Sequence, residues 1–207
     1  MTPIITHEDE LELAKTEKEL ASELKKVAKW QRTIANSQKK LAENFNKLTI
    51  VRQSLNRTFR DVLKQMQTLV RESRSNIKDE EVNLFQDLIH ANDGYIEANA
   101  DYANAIKDLA IRKEDIATRG ELFADALNDV AGRRSIVIKK ALNIEKTKNK
   151  MIEGAKLTEL ENQLNDSQRE FDRARNIFLK EIEQFLQVRE ELNDVWSNLK
   201  DSISQMS

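Results

Sequence analysis

Apolar residues return every seven positions along almost the entire chain. From Leu13 the series continues through Leu20, Val27, Ile34, Leu41, Leu48, Leu55, Val62 and Leu69. A second series runs Leu88, Tyr95, Tyr102, Leu109, Ile116, Phe123, Val130, Val137, Ile144 and Met151. A third runs Leu157, Leu164, Phe171, Phe178, Phe185, Leu192, Leu199 and Met206. These 27 positions in three registers have no polar interruption, far beyond the ~3–4 heptads that signal a coiled coil. Companion apolar positions widen the stripes: Leu24, Phe45, Phe59 and Met66 in the first, Leu160, Val188 and Val195 in the third. A strict seven-residue period implies left-handed supercoiling, because seven falls slightly short of two full turns of an α-helix.

The phase slips twice, between Leu69 and Leu88 and between Met151 and Leu157. A continuing helix would keep its phase, so the slips mark turns. The first falls at RESRSNIKDEE (71–81), rich in helix-end residues. The second falls at Gly154, a candidate left-handed helix stop. The pattern therefore predicts one all-α domain over 1–207, with three long antiparallel helices at about 8–76, 79–152 and 156–205. At ~1.5 Å per residue each helix spans roughly 75–110 Å, so a slender rod is expected. Small residues beside the first stripe (Ala28, Ala35, Ala42) leave apolar surface for a second copy or a similar chain. Gly94, Gly120 and Gly132 inside the second helix mark either bends or close helix contacts.

Composition narrows the function classes. Only four Gly and one Pro occur, charged residues reach 34% and cysteine is absent, which suits long helices and excludes disulfide and thiol chemistry. No apolar run approaches the ~18 residues a membrane span needs, and MTPIITHEDE lacks the features of a signal peptide. A cytoplasmic location is the expectation.

Charge is segregated rather than interleaved. Residues 1–24 carry net −5, 25–78 net +11, 79–132 net −9, 133–156 net +6 and 157–207 net −5. The series Lys25, Arg32, Lys39, Asn46, Gln53, Arg60, Gln67, Arg74 contains no acid and lies off the apolar stripe. These first-helix cations are expected to pair with acids of the second and third helices. The same pairing is not expected for KKALNIEKTKNKMIEGAKL (139–157), which holds six lysines and two acids at the end of a hairpin. Arg133, Arg134, Lys139, Lys140, Lys146, Lys148, Lys150 and Lys156 are therefore the candidate membrane-binding residues, largely unpaired at a tip. Near an anionic leaflet each contributes roughly 1 kcal/mol. Nucleic acid is not expected as a partner, since the tip has no stacking aromatic and no reading motif is present. The stretch 8–29 has an acid-rich polar side, which disfavours insertion into anionic lipid, and reads as the start of the first helix.

No catalytic, metal or cofactor site emerges, and an enzyme is not expected. His7 and His90 are far apart, HANDG (90–94) lacks the alternating oxygens of a calcium loop, and no Gly-rich phosphate loop occurs. Trp30 and Trp196 read as core or interface anchors, and Tyr95 and Tyr102 as packing residues of the heptad stripe.

Two stretches, IKKALNIEKTKNKMIEGAK and LENQLNDSQREFDRARNIFLKEIEQFLQVREEL, resemble the C-terminal BAR domains of the sorting nexins, the SNX-BAR family. Lys139, Lys140, Phe171, Glu181, Phe185 and Arg189 fall on that family's cadence. The resemblance covers about residues 85–200 and extends to the first helix by pattern alone. A third basic residue often follows the Lys pair in the family; Ala141 stands there here, which shifts the tip charge onto Lys146, Lys148, Lys150 and Lys156. Tryptophans seen in the second helix of some members are missing, and no phosphoinositide-binding PX domain is present. The resemblance implies dimerisation into a curved six-helix bundle, as homodimer or heterodimer with another SNX-BAR chain. It also implies binding and tubulation of anionic endosomal membranes from the cytoplasmic side, and retrograde sorting with retromer or cargo as further partners. The alternative from the residues themselves is a coiled-coil tether without direct lipid binding.

Overall fold

The computed structural model describes residues 6–72, 78–148 and 154–205, with the side chains of residues 202 and 205 left aside. The fold is all-α. Three helices follow one another: α1, His7–Arg71; α2, Asp79–Lys148; and α3, Gly154–Gln205. Among the described residues there is no strand.

Local chemistry sets the helix starts. At the head of α1, Asp9 N–H donates to Thr6 Oγ1 at 3.2 Å, while Asp9 Oδ2 accepts from Thr6 N at 2.8 Å. This reciprocal pair satisfies two backbone donors that the first turn leaves open. The Thr6 hydroxyl bond holds the Asp9 carboxyl below its ordinary pKa. At α2, Lys78 N–H donates to Glu81 Oε2 at 3.1 Å, and the acids Asp79, Glu80 and Glu81 face the positive end of the helix dipole. Gly154 does not act as a stop; it is the first residue of α3. The segments expected at 73–76 and 149–152 lie outside the described residues.

The chain divides into two compact units, Met1–Thr33 with Glu114–Glu191, and Ile34–Lys113 with Leu192–Ser207. In the first unit the buried rows are small. Ala14, Ala21 and Ala28 of α1 and Ala117, Ala124 and Ala131 of α2 are all buried. Ala28 Cβ lies 3.7 Å from where a Cβ on Gly120 would stand, with Phe185 equally near. Such side chains let helix backbones approach closely. Larger groups fill the flank: Phe123 stacks on Phe178 and Phe185, with ring centroids 5.3 and 5.7 Å away. Gly94 and Gly132 meet open space, so of the three α2 glycines only Gly120 sits at a close contact.

In the second unit Ala42, Ile106, Leu109 and Leu199 form the core, with Phe45, Tyr102, Ala105, Leu192 and Val195 packed against it. Phe45 meets Tyr102 edge-on at 4.8 Å. Beyond it Asn56 is 2% exposed. Its Nδ2 donates to Asp93 Oδ1 at 2.5 Å and to Ile89 O at 3.4 Å, and Arg60 closes on the other Asp93 oxygen at 2.7 Å.

The heptad pattern meets a correction on α1. Ala14, Ala21, Ala28, Ala35, Ala42, Thr49 and Asn56 turn inward. The neighbouring series from Leu13 to Leu69 is exposed throughout, from 37% at Val62 to 52% at Leu20. The second and third series behave differently: Leu109, Val130, Ile144 and Leu199 are buried, and Phe171, Phe178 and Phe185 are half-buried. Tyr95 likewise departs from its packing role. It is exposed, with the Arg52 guanidinium 5.1 Å from its ring centroid.

Candidate functional site

The cations of the first helix are engaged along much of α1. Lys25 reaches Asp125 at 2.5 Å, Arg60 reaches Asp93 at 2.7 Å, and Arg32 grips both oxygens of Glu121. These three match the expected pairing of basic α1 with acidic α2, whereas Lys40, Lys47 and Arg57 have no ion pair or hydrogen bond among the described residues. Arg74 lies outside the described residues. Exposed pairs of this kind contribute only ~0.2–1 kcal/mol each. Their effect is to use up local charge rather than to hold the fold.

The basic end of α2 requires a correction. Arg134 donates from Nε and Nη2 to the two Glu17 oxygens at 3.2 and 2.9 Å, with its guanidinium carbon 5.4 Å from the Phe171 ring centroid. Arg133 pairs with Glu170 and with Asp129 at 3.3 Å. Lys140 Nζ donates to Ser167 Oγ at 2.7 Å and Gln163 O at 3.1 Å. Lys148 meets Glu161 at 3.3 Å. The tip cations are thus not largely unpaired.

The reason is the antiparallel order of the helices. It brings the acid-rich start of α1 beside the end of α2, as the 3.3 Å approach of His7 Nε2 to Glu145 Oε1 also records. Counting charge in blocks along the chain misses this; placing residues 8–24 opposite 133–148 would have found Glu17.

Lys139, Lys146 and Lys156 remain exposed, without an ion pair or hydrogen bond among the described residues. Lys139 and Lys146, one heptad apart, share an outward side of α2 with the 45%-exposed Ile136. Lys150 lies outside the described residues.

The residues carrying the family resemblance do structural work. Phe171 underlies Arg134 and Phe185 joins the stack on Phe123. Glu181, with a side chain 18% exposed, lies 3.9 Å from Arg119, whose Nη1 donates to Gln184 at 2.6 Å. Arg189 is exposed.

The other large feature is apolar. In the first unit Leu13, Leu20 and Val27 stand open on α1, and Leu179 and Leu186 of α3 are 48% and 47% exposed. In the second unit the open residues of α1 include Ile34, Leu41, Leu48, Ile50, Val51, Leu55, Val62 and Leu69, and those at the start of α2 include Leu84, Leu88 and Tyr95. Trp30 and Trp196, 64% and 47% exposed, are not core residues.

Among the described residues no group of His, Asp or Glu is arranged to hold a metal ion, and no helix is long and apolar enough to cross a membrane. Comparison with protein-family models, with curated proteins and with solved structures yields no match.

Proposed function

We propose that this chain is a dimerising, membrane-associated helical module of the SNX-BAR type, acting in endosomal tubulation and retrograde cargo sorting. One observation carries the reading: nine aliphatic side chains at seven-residue spacing stand exposed on α1 while its alanines face inward. Side chains of this kind, left in water, each forgo about 1.5–3 kcal/mol of burial when fully exposed, and roughly half of that here. A second copy, or a related chain with a matching stripe, covers them in a curved six-helix bundle. Lys139, Lys146 and Lys156, exposed at the end of the α2–α3 pair, supply contacts to anionic lipid. The resemblance of residues 85–200 to sorting nexin BAR domains supports the same reading.

Sedimentation equilibrium together with vesicle co-sedimentation tests it. The wild type is expected to be a dimer and to pellet with phosphatidylserine vesicles at low salt. Leu41→Ser/Leu48→Ser/Leu55→Ser is expected to be a folded monomer with weakened pelleting. A monomeric wild type, or one indifferent to lipid charge, sinks the proposal.

A second reading is favoured by the ion pairs of Arg133, Arg134 and Lys148, which leave less charge for lipid. In it the chain is a coiled-coil tether whose stripe binds a partner helix. The same experiment separates the two, since a tether dimerises or captures its partner without any response to vesicle charge.

A further inference from the structure

We propose that the outer side of α1 in the second unit, centred on Lys40, Lys47, Ile50, Val51 and Arg57, is a surface that rests on an anionic lipid bilayer. The inference builds on the membrane reading above but assigns the contact to a different part of the chain.

Spacings of three, four and seven residues keep these five on one side of a helix with ~100° per residue. Ala35, Ala42, Thr49 and Asn56 occupy the opposite, buried side. Lys40, Lys47 and Arg57 are exposed and have no ion pair or hydrogen bond among the described residues. That distinguishes them from Arg60 and Lys64 nearby, which hold Asp93 and Asp61. Two carboxylates share the face. Asp61 is held by Lys64 at 3.9 Å, which leaves Glu43 against three free cations.

Between the cations Ile50 and Val51 are each 64% exposed, more than any member of the Leu13–Leu69 series. Adjacent β-branched residues so far out in solvent add little to packing within the chain. Set among lysine and arginine stems they match a lipid interface, where apolar groups enter the acyl boundary and cations stay with the headgroups.

The unit's charge has the polarity such a contact needs. Residues 34–72 hold eight basic side chains and three acids, whereas residues 78–113 hold eight acids and four basic side chains. Anionic lipid attracts one helix and repels the other, so the surface orients the unit as well as binding it. Nucleic acid fits less well, because the face offers two aliphatic residues and no aromatic for base stacking.

The test compares three variants of the full chain on phosphatidylserine-containing and phosphatidylcholine vesicles. They are Lys40→Glu/Lys47→Glu/Arg57→Glu, Ile50→Ser/Val51→Ser, and the tip variant Lys139→Glu/Lys146→Glu/Lys156→Glu. Circular dichroism and sedimentation first establish that each is folded with the wild-type oligomeric state. The α1 charge variant is expected to lose about tenfold or more in partitioning onto anionic vesicles. The Ile50/Val51 variant is expected to lose the binding that survives at high salt, and the tip variant to lose less than the α1 charge variant. If the tip variant abolishes binding and the α1 variants bind like wild type, this inference is wrong and the membrane reading stands. If wild type binds neither vesicle, both fall. Tight binding to duplex DNA through Lys40, Lys47 and Arg57, with none to vesicles, would overturn the lipid assignment.

Discussion

Lys113 occupies a row that is otherwise turned inward. Ile106 one heptad before it and Gly120 one heptad after it are both buried. Its ammonium lies 6.0 Å from the centroid of Trp196, in a groove shared with Leu109, Leu192 and Asn193. Burial lowers the pKa of this lysine from its ordinary value of 10.5, since desolvation penalises the charged form. The penalty applies at neutral pH, where the side chain is charged both folded and unfolded. It vanishes above the unfolded pKa, where both states are neutral. Lys113→Met is therefore expected to raise the melting temperature at pH 7, with a gain that shrinks as pH climbs through the lowered pKa toward 10.5. Melts by circular dichroism across that range check it; a gain independent of pH would point to better apolar packing instead.

At the level of the helix, the choice of an alanine row over a leucine row as the inward face of α1 has a measurable consequence. Ala28 is buried, in a row that faces the Gly120 position of α2. Ala28→Leu is expected to cost about 1–3 kcal/mol in urea unfolding through overpacking. Leu20→Ala, at a 52%-exposed site, is expected to cost less than about 1 kcal/mol in the monomer. Equal losses would contradict the inward alanines.

The number and order of the helices and their approximate starts were legible in the sequence, because a phase slip is a geometric break that no side-chain detail can hide. The inward face was not, because Leu13 and Ala14 begin parallel heptad rows. Hydrophobicity favours leucine for burial, whereas the close approach of α1 and α2 selects alanine. The pairing of the tip cations was not legible for a related reason. Glu17 is far from Arg134 in sequence, and only the antiparallel return of the chain makes them partners.

For the molecule as a whole, burial is incomplete within each unit, since both leave a run of aliphatic side chains open on α1. A self-associating protein with such a surface is stabilised by mass action. The melting temperature is expected to rise by several degrees as protein concentration is raised a hundredfold, and to lose that dependence in Leu41→Ser/Leu48→Ser/Leu55→Ser. Differential scanning calorimetry at a series of concentrations measures this directly; a concentration-independent transition in the wild type would remove the case for self-association.

Because the heptads of α1 so closely copy one another, sliding that helix along α2 by one repeat would leave alanine on the inside and leucine on the outside. Asn56, like Thr49, departs from the alanine row and makes the repeats distinguishable. Displaced by seven, its place beside Asp93 would pass to Thr49 or to Leu63, and neither can bring an amide to that carboxylate. One buried amide thus acts as an index mark on a repetitive ruler, favouring one alignment over those that hydrophobicity alone would leave nearly equal in energy.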